Sequence, residues 1–235
     1  MPSTLTDALL DPILAADPAG PRITYYDDAT GERVELSALT LANWAAKTAN
    51  LLRDELGVQP GDRVAVLLPA HWQTAAVFLG IWWAGGEVAL GDDLSGVEVA
   101  LVTADRLDEV DAVGEVAALS LDAFGRPVAD LPVGITDYAS TVRVHGDQFR
   151  SAGAGAALGG AEVDEVVRSA AAEAQRLGLT PTDRVLSTAA WDTPEAVVTN
   201  LLAVLAAGAS LVQVAHPADQ TRRVESEKVT RQLAG

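Results

Sequence analysis

A glycine-rich stretch at residues 151–160 has the residue types and spacing that could bind a phosphate. It reads Ser-Ala-Gly-Ala-Gly-Ala-Ala-Leu-Gly-Gly, and its glycines would let the backbone turn several N–H groups toward one point. The candidate phosphate-binding residues are Ser151, Gly153, Ala154, Gly155, Gly159 and Gly160. The stretch contains no cation, and Glu162, Asp164 and Glu165 follow it. The sequence therefore predicts at most a bare nest of amides, in which a phosphate would compete with nearby carboxylates.

Other common catalytic arrangements are missing from the sequence. The chain has no cysteine, which excludes disulfides and thiolate chemistry. Its histidines, His71, His145 and His216, have no second metal ligand at a helical spacing, so we expect a structural or surface role for each. Ser151 and Ser187 follow predicted strands but lie outside a G-x-S-x-G motif. The glycines also miss the G-x-G-x-x-G spacing of a dinucleotide loop.

The net charge of the chain limits the classes of molecule that it can bind. The 235 residues include 16 Lys and Arg and 33 Asp and Glu, which gives a formal net charge of −17. So acidic a surface repels nucleic acid, anionic lipid and polyphosphate. The longest apolar run, at residues 75–84, is too short to cross a bilayer, and residues 1–11 lack the basic start of a signal peptide. We therefore expect a cytoplasmic protein that binds neither nucleic acid nor membrane.

Alternating strands and helices must position the glycine-rich stretch. The first half of the chain predicts a β-hairpin (23–26 and 33–36), a helix capped at Ser37 or Thr40, a strand covered on both faces (63–69), a helix (72–84) and strands at 87–90, 97–103 and 116–121. The second half predicts a strand at 144–151 that leads into the glycine-rich stretch, then an amphipathic helix from Val163. Strands and helices that alternate at this length favour parallel sheets with helices on their faces.

The two halves share a repeated pattern. Residues 56–64, Leu-Gly-Val-Gln-Pro-Gly-Asp-Arg-Val, match residues 177–185, Leu-Gly-Leu-Thr-Pro-Thr-Asp-Arg-Val, and residues 84–86 match 207–209. In both copies a helix ends at glycine, and a turn containing Pro-x-Asp-Arg leads into a strand, a second helix and another strand. Two copies are too few for a solenoid. We therefore expect two similar α/β units packed against each other, at about 37–103 and 162–214.

The order and spacing of these segments resemble the N-terminal lobe of the adenylate-forming enzymes, which include acyl-CoA synthetases, peptide-synthetase adenylation domains and luciferases. The resemblance rests on Thr24-Tyr25 and on residues 56–69, 79–86, 177–187 and 219–230, so it extends over nearly the whole chain. It implies an α/β fold with two stacked, mostly parallel sheets and flanking helices. The chain also resembles a short actinobacterial group that is similar to a truncated form of this lobe.

In that superfamily, a strand-to-helix loop of the form T-S-G-T-T-G-x-P-K-G holds the phosphates of ATP. Matching its flanking glycines to Gly153 and Gly160 places Ala154 and Gly155 at the two threonines and Gly159 at the lysine. The resemblance therefore implies a phosphate loop that has lost its hydroxyls and its cation.

The two lysines of the chain cannot replace that cation. Lys47 lies in the first predicted helix, which follows the β-hairpin, and Lys228 lies in the terminal helix. Neither lysine therefore reaches the loop. The resemblance further implies a second lysine, an acid on the ribose, an adenine and Mg²⁺ motif and a mobile lobe, all beyond residue 235. We therefore expect a truncated lobe without the groups that adenylation needs.

Two functions of different classes follow for a single truncated lobe over residues 1–235. The first is a pseudoenzyme: a non-catalytic relative of the acyl-adenylating ligases, acting as a binding or assembly module, forming a homodimer or binding a protein partner, and using no cofactor. Trp82 or Trp83, and Trp191, fit either the core or such an interface. The alternative is a split AMP-dependent ligase fragment that binds ATP or AMP with Mg²⁺ through residues 151–160 and needs another chain for catalysis.

Overall fold

The computed structural model describes residues 4–91, 93–151, 153 and 155–233. It begins with helix α1 (Leu5–Ala16), which starts in a capping box. The Thr4 side chain accepts from the Asp7 N–H at 3.3 Å, and the Asp7 carboxylate accepts from the Thr4 N–H at 3.1 Å. These two bonds satisfy backbone donors that a helix start leaves open.

The first half of the chain forms the elements that the hydrophobic periodicity predicts. They are β1 (Pro21–Asp27), β2 (Glu32–Ser37), α2 (Ala38–Asp54), β3 (Arg63–Leu67), α3 (Trp72–Trp83), β4 (Glu87–Ala89) and β5 (Val97–Thr103). Ser37 caps α2 by accepting from the Thr40 N–H at 3.1 Å. The hairpin, both helices and the strands at 63–69, 87–90 and 97–103 are therefore confirmed, with ends shifted by a few residues at most.

A connecting region follows β5. It consists of a 3₁₀ segment (Ala104–Val110), β6 (Glu115–Leu119), β7 (Ile135–Asp137) and α4 (Tyr138–Val142). Its strands extend the sheet that holds β3, since β5 pairs with β6 and β6 with β7, all in parallel.

The second half repeats the order of the first. Its elements are β8 (Ala156–Leu158), β9 (Ala161–Glu162), α5 (Val163–Arg176), β10 (Arg184–Ser187), α6 (Pro194–Val197), a π-helical turn (Val198–Leu202), α7 (Ala203–Ala206), β11 (Ser210–Ala215), α8 (Thr221–Ser226) and β12 (Arg231–Gln232). Thr193 caps α6, with Pro194 in its first turn.

The described strands form a five-stranded sheet and a seven-stranded sheet. The five-stranded sheet has the order β12-β10-β11-β1-β2, and the seven-stranded sheet has the order β7-β6-β5-β3-β4-β8-β9. All neighbours are parallel except the two hairpin pairs, β1–β2 and β8–β9. The expected α/β class with two mostly parallel sheets is therefore confirmed.

Each half places its hairpin in the sheet of the other half. The β1–β2 hairpin precedes α2 and β3, yet β1 pairs with β11 along Ile23↔Leu211. The β8–β9 hairpin precedes α5 and β10, yet β8 pairs with β4 at Val88↔Leu158. Each sheet therefore needs strands from both halves, and neither half completes a sheet alone.

The repeated Pro-x-Asp-Arg turns also share their hydrogen bonds. The Asp62 carboxylate accepts from the Gln59 N–H at 2.7 Å, and the Asp62 carbonyl accepts from the Glu87 N–H at 2.8 Å. Asp183 accepts in the same way from the Thr180 N–H at 2.8 Å, and its carbonyl accepts from the first residue of β11 at 3.1 Å. In each half this aspartate joins the turn to the next parallel strand.

The hydrophobic core joins both sheets through the helices between them. Its largest cluster includes Ile23 of one sheet, Val64 of the other, and buried residues of α1, α2, α3 and α5. Ala65 and Leu67 point to the opposite face of β3 and are buried in a second cluster with Val110. Because β3 is buried on both faces, its nearly unbroken apolar run is explained.

The strand predicted at 144–151 is wrong. The segment follows α4 as turns and irregular chain, because side chains of α2 bind its carbonyl groups. Lys47 Nζ donates to the His145 carbonyl at 2.6 Å, and Asn50 Nδ2 donates to the carbonyls of Gly146 at 2.9 Å and Gln148 at 3.0 Å. These bonds satisfy polar groups that would otherwise need a neighbouring strand.

Candidate functional site

The first glycines of the candidate phosphate loop lie at the amino end of β4. Gly153 and Gly155 border a recess with Gly85 and Gly86, and this recess has no volume that a water molecule could fill. Ser151 precedes them in irregular chain rather than in a strand, and Ala154 lies outside the described residues. These two glycines therefore lie against the protein instead of around an open cleft.

The last two glycines form the turn of the second hairpin. Gly159 and Gly160 have φ angles of +57° and +79° and connect β8 to β9. Two-residue hairpin turns with positive φ at both positions favour glycine. An added Cβ at Gly159 would lie 2.9 Å from Pro194 Cγ. The expected strand-to-helix loop is thus wrong for this part of the stretch, because a hairpin stands between the glycines and α5.

One of the candidate amide donors is already hydrogen-bonded to a carboxylate of the chain. The Gly160 N–H donates to Glu87 Oε1 at 2.8 Å. Glu87 is buried, and its other oxygen lies 3.6 Å from Arg63 Nε. An amide already bonded to a carboxylate has little to offer a second anion, and the buried charge would repel it.

Neither lysine lies at the hairpin turn. Lys47 is in α2, where its ammonium group bonds the His145 carbonyl. Lys228 lies two residues beyond the end of α8 instead of inside the terminal helix, with φ +53°.

A larger opening lies at the carboxyl ends of the parallel strands, and we call it the carboxyl-end cavity. It has a volume of about 1010 Å³ and lies between the β1–β2 turn, the ends of β3 and β11, and residues 120–127 after β6. Both sheets contribute to it, because β1 and β11 belong to one and β3 and β6 to the other. Sheets of this class bind ligands at the carboxyl ends of their strands.

The most buried polar group of this cavity is the imidazole of His71, which is 2% exposed. Its Nδ1 accepts from the Gln73 N–H at 3.1 Å and so caps α3. Its Nε2 lies 3.6 Å from Glu32 Oε1, and neither atom has a hydrogen-bond partner among the described residues. Burial lowers the pKa of His71 despite the neighbouring Glu32. The ring is therefore neutral at pH 7, and because Nδ1 accepts, Nε2 carries the proton.

A histidine–carboxylate hydrogen bond and an ion pair occupy the rest of the charged wall. His216 Nδ1 lies 2.9 Å from Asp27 Oδ1, and Arg126 lies 3.0 Å from Asp122 Oδ2. Burial alone would raise the pKa of Asp27, but its hydrogen bonds with His216 and with backbone N–H groups lower it. Arg33 also lines the cavity, and it donates to the Tyr26 hydroxyl at 2.8 Å and to the carboxylates of Glu35 and Glu227.

Sequence reasoning missed the cavity, although it considered two of the residues that line it, His71 and His216. Nδ1 of His71 has the structural role expected for this residue, and Nε2 is buried beside Glu32. A histidine directly before a helix start is a signal for a cap. Nothing in the sequence indicates that Glu32, 39 positions earlier, lies beside it, since the contact depends on pairing between the two sheets. No cluster of three metal-binding side chains occurs among the described residues.

Two of the three tryptophans that fitted either a core or an interface, Trp82 and Trp191, are buried in the interior. Trp82 is 2% exposed and donates to the Ala157 carbonyl at 2.8 Å. Trp83 is half-buried and donates to Asp7 at 2.6 Å, and Trp191 is 1% exposed and packs beside Phe78. Core packing therefore accounts for Trp82 and Trp191. In the part of the chain that is described, no helix is long and apolar enough to span a membrane.

The fold resembles that of acyl-CoA synthetases of known structure. A family model described as AMP-binding enzyme matches residues 15–108. An acyl-CoA synthetase from Brucella canis superposes on the chain with a TM-score of 0.79 at 17% identity, covering 98% of this chain and 47% of that one. MatB from Rhodopseudomonas palustris does so with a TM-score of 0.76 at 18% identity, covering 99% of this chain and 49% of that one. The chain thus spans about half the length of these enzymes.

A protein of Mycobacterium tuberculosis (strain ATCC 25618 / H37Rv) shares the full extent of the chain. It is described as a TIGR03089 family protein and is 62% identical over 242 residues, covering 99% of each sequence. The present chain belongs to the TIGR03089 family. The AMP-binding match and the structural similarity to acyl-CoA synthetases confirm the expected relation to the adenylate-forming enzymes.

Proposed function

We propose that this chain is a non-catalytic binding or assembly module that keeps the fold of the adenylate-forming enzymes without their phosphate chemistry. The observation that carries this proposal is the backbone at Gly159. The resemblance aligns this position with the phosphate-binding lysine, yet here it has a positive φ and lies against Pro194. A long side chain at this position would have to displace the start of α6.

The surroundings of the hairpin turn support the same conclusion. The Gly160 amide is bonded to Glu87, and the recess at Gly153 and Gly155 has no room for water. On a chain of net charge −17, an amide nest whose neighbouring cation, Arg63, is already paired with Glu87 is a weak polyphosphate site. We propose that no nucleotide cofactor is used.

Thermal denaturation with ATP, AMP or CoA, each with and without Mg²⁺ at matched ionic strength, tests the nucleotide part. A ligand at a hundred times its dissociation constant adds about 2.7 kcal/mol, a shift of several degrees for a chain of this size. We expect no shift for the natural chain. A saturable shift with ATP or AMP would overturn the proposal and favour a split ligase fragment that needs another chain.

Glu87→Gln provides a matched variant, because it removes the charge and keeps the size of the side chain. We expect no nucleotide shift in this variant either, although Arg63 loses its partner carboxylate, because Pro194 lies against the turn. A saturable shift with ATP or AMP that arises only in Glu87→Gln would show that the turn has room for phosphate and would overturn the argument from its closure.

We further propose that the module forms a homodimer. Light scattering during gel filtration tests this part separately from nucleotide binding. We expect twice the mass of one chain, and a single species with the mass of one chain at high concentration would overturn it.

A further inference from the structure

A second cavity lies at the start of β1, between α1 and the end of α7, and we call it the Arg22 cavity. It has a volume of about 320 Å³. One face of α1 and the residues at the end of α7 line it, and Asp17 and Arg22 are the ionisable groups among its described lining residues. The volume lies at the lower end of the range of sites for small organic molecules.

The repeat explains why this place is open. In the first half of the chain, Trp82 fills the corresponding place and donates from Nε1 to the Ala157 carbonyl at 2.8 Å, and the recess beside it has no room for water. The match of residues 84–86 with 207–209, extended back by two positions without a gap, aligns Leu205 with Trp82. The shorter side chain in the second half leaves space for a ligand.

The residue beside this position differs between the halves as well. Ala157 precedes the residue of β8 that pairs with Val88, and Arg22 precedes the residue of β1 that pairs with Leu211. Val88 and Leu211 are equivalent in the same gapless match, so Arg22 corresponds to Ala157. The first half shows that this place can be packed without any charge. A buried cation here therefore needs a further explanation.

The guanidinium group of Arg22 is only partly bonded. The residue is 6% exposed, and its Nη1 donates to the carbonyls of Gly208 at 2.5 Å and Ala209 at 2.7 Å. Nε is enclosed and has no partner, so no ligand can reach it. Nη2 has no hydrogen bond to the described residues and is not enclosed, so it is the donor that a ligand in the cavity can reach.

The carboxylate that lines the Arg22 cavity does not pair with this cation. Asp17 is exposed, and its Oδ1 accepts from the Gly20 N–H at 2.9 Å. Burial lowers the pKa of Arg22, and the charge of Asp17 only partly opposes this effect. No carboxylate oxygen lies within 4.0 Å of the guanidinium in the part of the chain that is described. Because an unpaired buried charge is costly, an anion at Nη2 would supply the missing partner.

The lining of the cavity defines the class of that anion. A carboxylate lies in the plane of a guanidinium group and forms a short, charge-assisted hydrogen bond with it. The remainder of the ligand would contact Leu9, Ile13 and Leu205, which are buried and apolar. A volume of about 320 Å³ leaves room for a short aliphatic chain or one small ring.

We propose that the Arg22 cavity binds a small monocarboxylate with a short apolar group, with Arg22 Nη2 bonding the carboxylate and α1 and Leu205 packing against the apolar group. The proposal goes beyond the loss of nucleotide binding and does not depend on it, because none of the described residues at 151–160 lines this cavity.

The four isoleucines of the chain make the test selective. Ile13 lines the cavity, whereas Ile135 lies in β7 of the other sheet. In protein labelled with ¹³C only at the isoleucine δ1 methyl groups, Ile13 reports binding and Ile135 is the internal reference. Three probes of one chain length are titrated at pH 7 and matched ionic strength: pentanoate (anionic), pentanamide (neutral) and pentylamine (cationic). We expect a saturable shift of Ile13 with pentanoate, no shift of Ile135, and binding of the other two weaker by about tenfold or more.

Arg22→Gln tests the charge, and Arg168→Gln is its control, because Arg168 is an exposed residue of α5 outside the cavity. We expect Arg22→Gln to weaken pentanoate by about tenfold and to leave pentanamide unchanged, and Arg168→Gln to change neither. Melting temperatures verify that the variants are folded.

Two further variants test the site without removing Arg22. Asp17→Asn keeps the acceptor for Gly20 and removes the opposing charge, so we expect it to tighten pentanoate by about twofold or more. Leu205→Trp introduces the side chain of the first half, and we expect it to fill the cavity and abolish the shift of Ile13.

The proposal is overturned if pentanoate gives no saturable shift of Ile13 at about 50 mM, or if pentanoate and pentanamide bind equally. It is also overturned if Asp17→Asn binds pentanoate no more tightly than the natural chain, or if folded Leu205→Trp binds it as the natural chain does.

Discussion

The two β-hairpins occupy equivalent positions in their sheets, but their turns lie in opposite surroundings. The β1–β2 hairpin is long, and its turn borders the carboxyl-end cavity, where Asp27 pairs with His216. The β8–β9 hairpin has strands of three and two residues, and its Gly159–Gly160 turn packs against Pro194. One repeated topology therefore supports an open, charged turn in one half and a closed, uncharged turn in the other.

This contrast indicates which part of such a fold decides whether a ligand can bind. The strands fix the positions of the turns, since each hairpin pairs with the other half. The residues of the turn then decide whether a ligand can enter. Here the hairpin that the resemblance associates with phosphate is filled, and the other one faces a cavity.

The largest expected effect comes from truncating one core side chain in each hairpin. Ile23 in β1 is fully buried and Leu158 in β8 is 2% exposed. We expect Ile23→Ala and Leu158→Ala each to lower the free energy of unfolding by about 2–5 kcal/mol, measured by urea denaturation. Val133→Ala, on a fully exposed residue, is the control and should change it by less than about 0.5 kcal/mol. A negligible cost for Leu158→Ala would contradict the equivalence of the two hairpins.

An intermediate effect separates the closed turn from the open one. Gly159 and Gly31 both have positive φ, but only Gly159 has a neighbour within 4 Å of an added Cβ. We expect Gly31→Ala to cost about 1 kcal/mol from backbone strain and Gly159→Ala about 2–3 kcal/mol, because Pro194 must also move. The same denaturation assay measures both, and equal costs would show that the second turn is not closed.

The smallest effect is a pH dependence of the free energy of unfolding that arises at the first hairpin. Glu227, just after α8, bonds Tyr26 and Arg33 of that hairpin and Arg184 of β10. Burial alone would raise the pKa of Glu227, but these bonds lower it from 4.5 to about 2. The stabilisation is therefore complete above the unfolded pKa of about 4.5 and decreases as the pH falls toward 2.

Comparison with Glu227→Gln isolates this contribution from that of other carboxylates. Between pH 6 and pH 3 we expect the natural chain to lose about 1–2 kcal/mol more than the variant, after allowance for solvent screening. If the free energy of unfolding changed with pH equally in the two proteins, Glu227 would not stabilise the hairpin.

Local sequence patterns predicted most of the helices and strands, because the start and the buried face of such an element depend on residues close together in the chain. The burial of both faces of β3 follows from its apolar run, and the start of α2 follows from Ser37. The strand predicted at 144–151 was wrong. Its apolar residues suit a strand, but Lys47 and Asn50, almost a hundred positions away, donate hydrogen bonds to its carbonyl groups. No local pattern contains that contact.

The site was less predictable than the fold. The missing cation at residues 151–160 can be read from composition alone, whereas the closure of the turn depends on Pro194, which comes from another element. Similarly, His71 and Glu32 meet only because β2 and the segment before α3 belong to different sheets that pack together.

The exchange of hairpins between the halves also constrains the order of folding. Arg22, at the start of β1, donates to the carbonyl of Gly208, 186 positions later. During synthesis, the first hairpin must therefore wait for most of the chain to emerge before its partner strand exists. Contacts of such long range slow folding and leave strand edges open meanwhile. The net charge of −17 makes such partly folded chains repel one another.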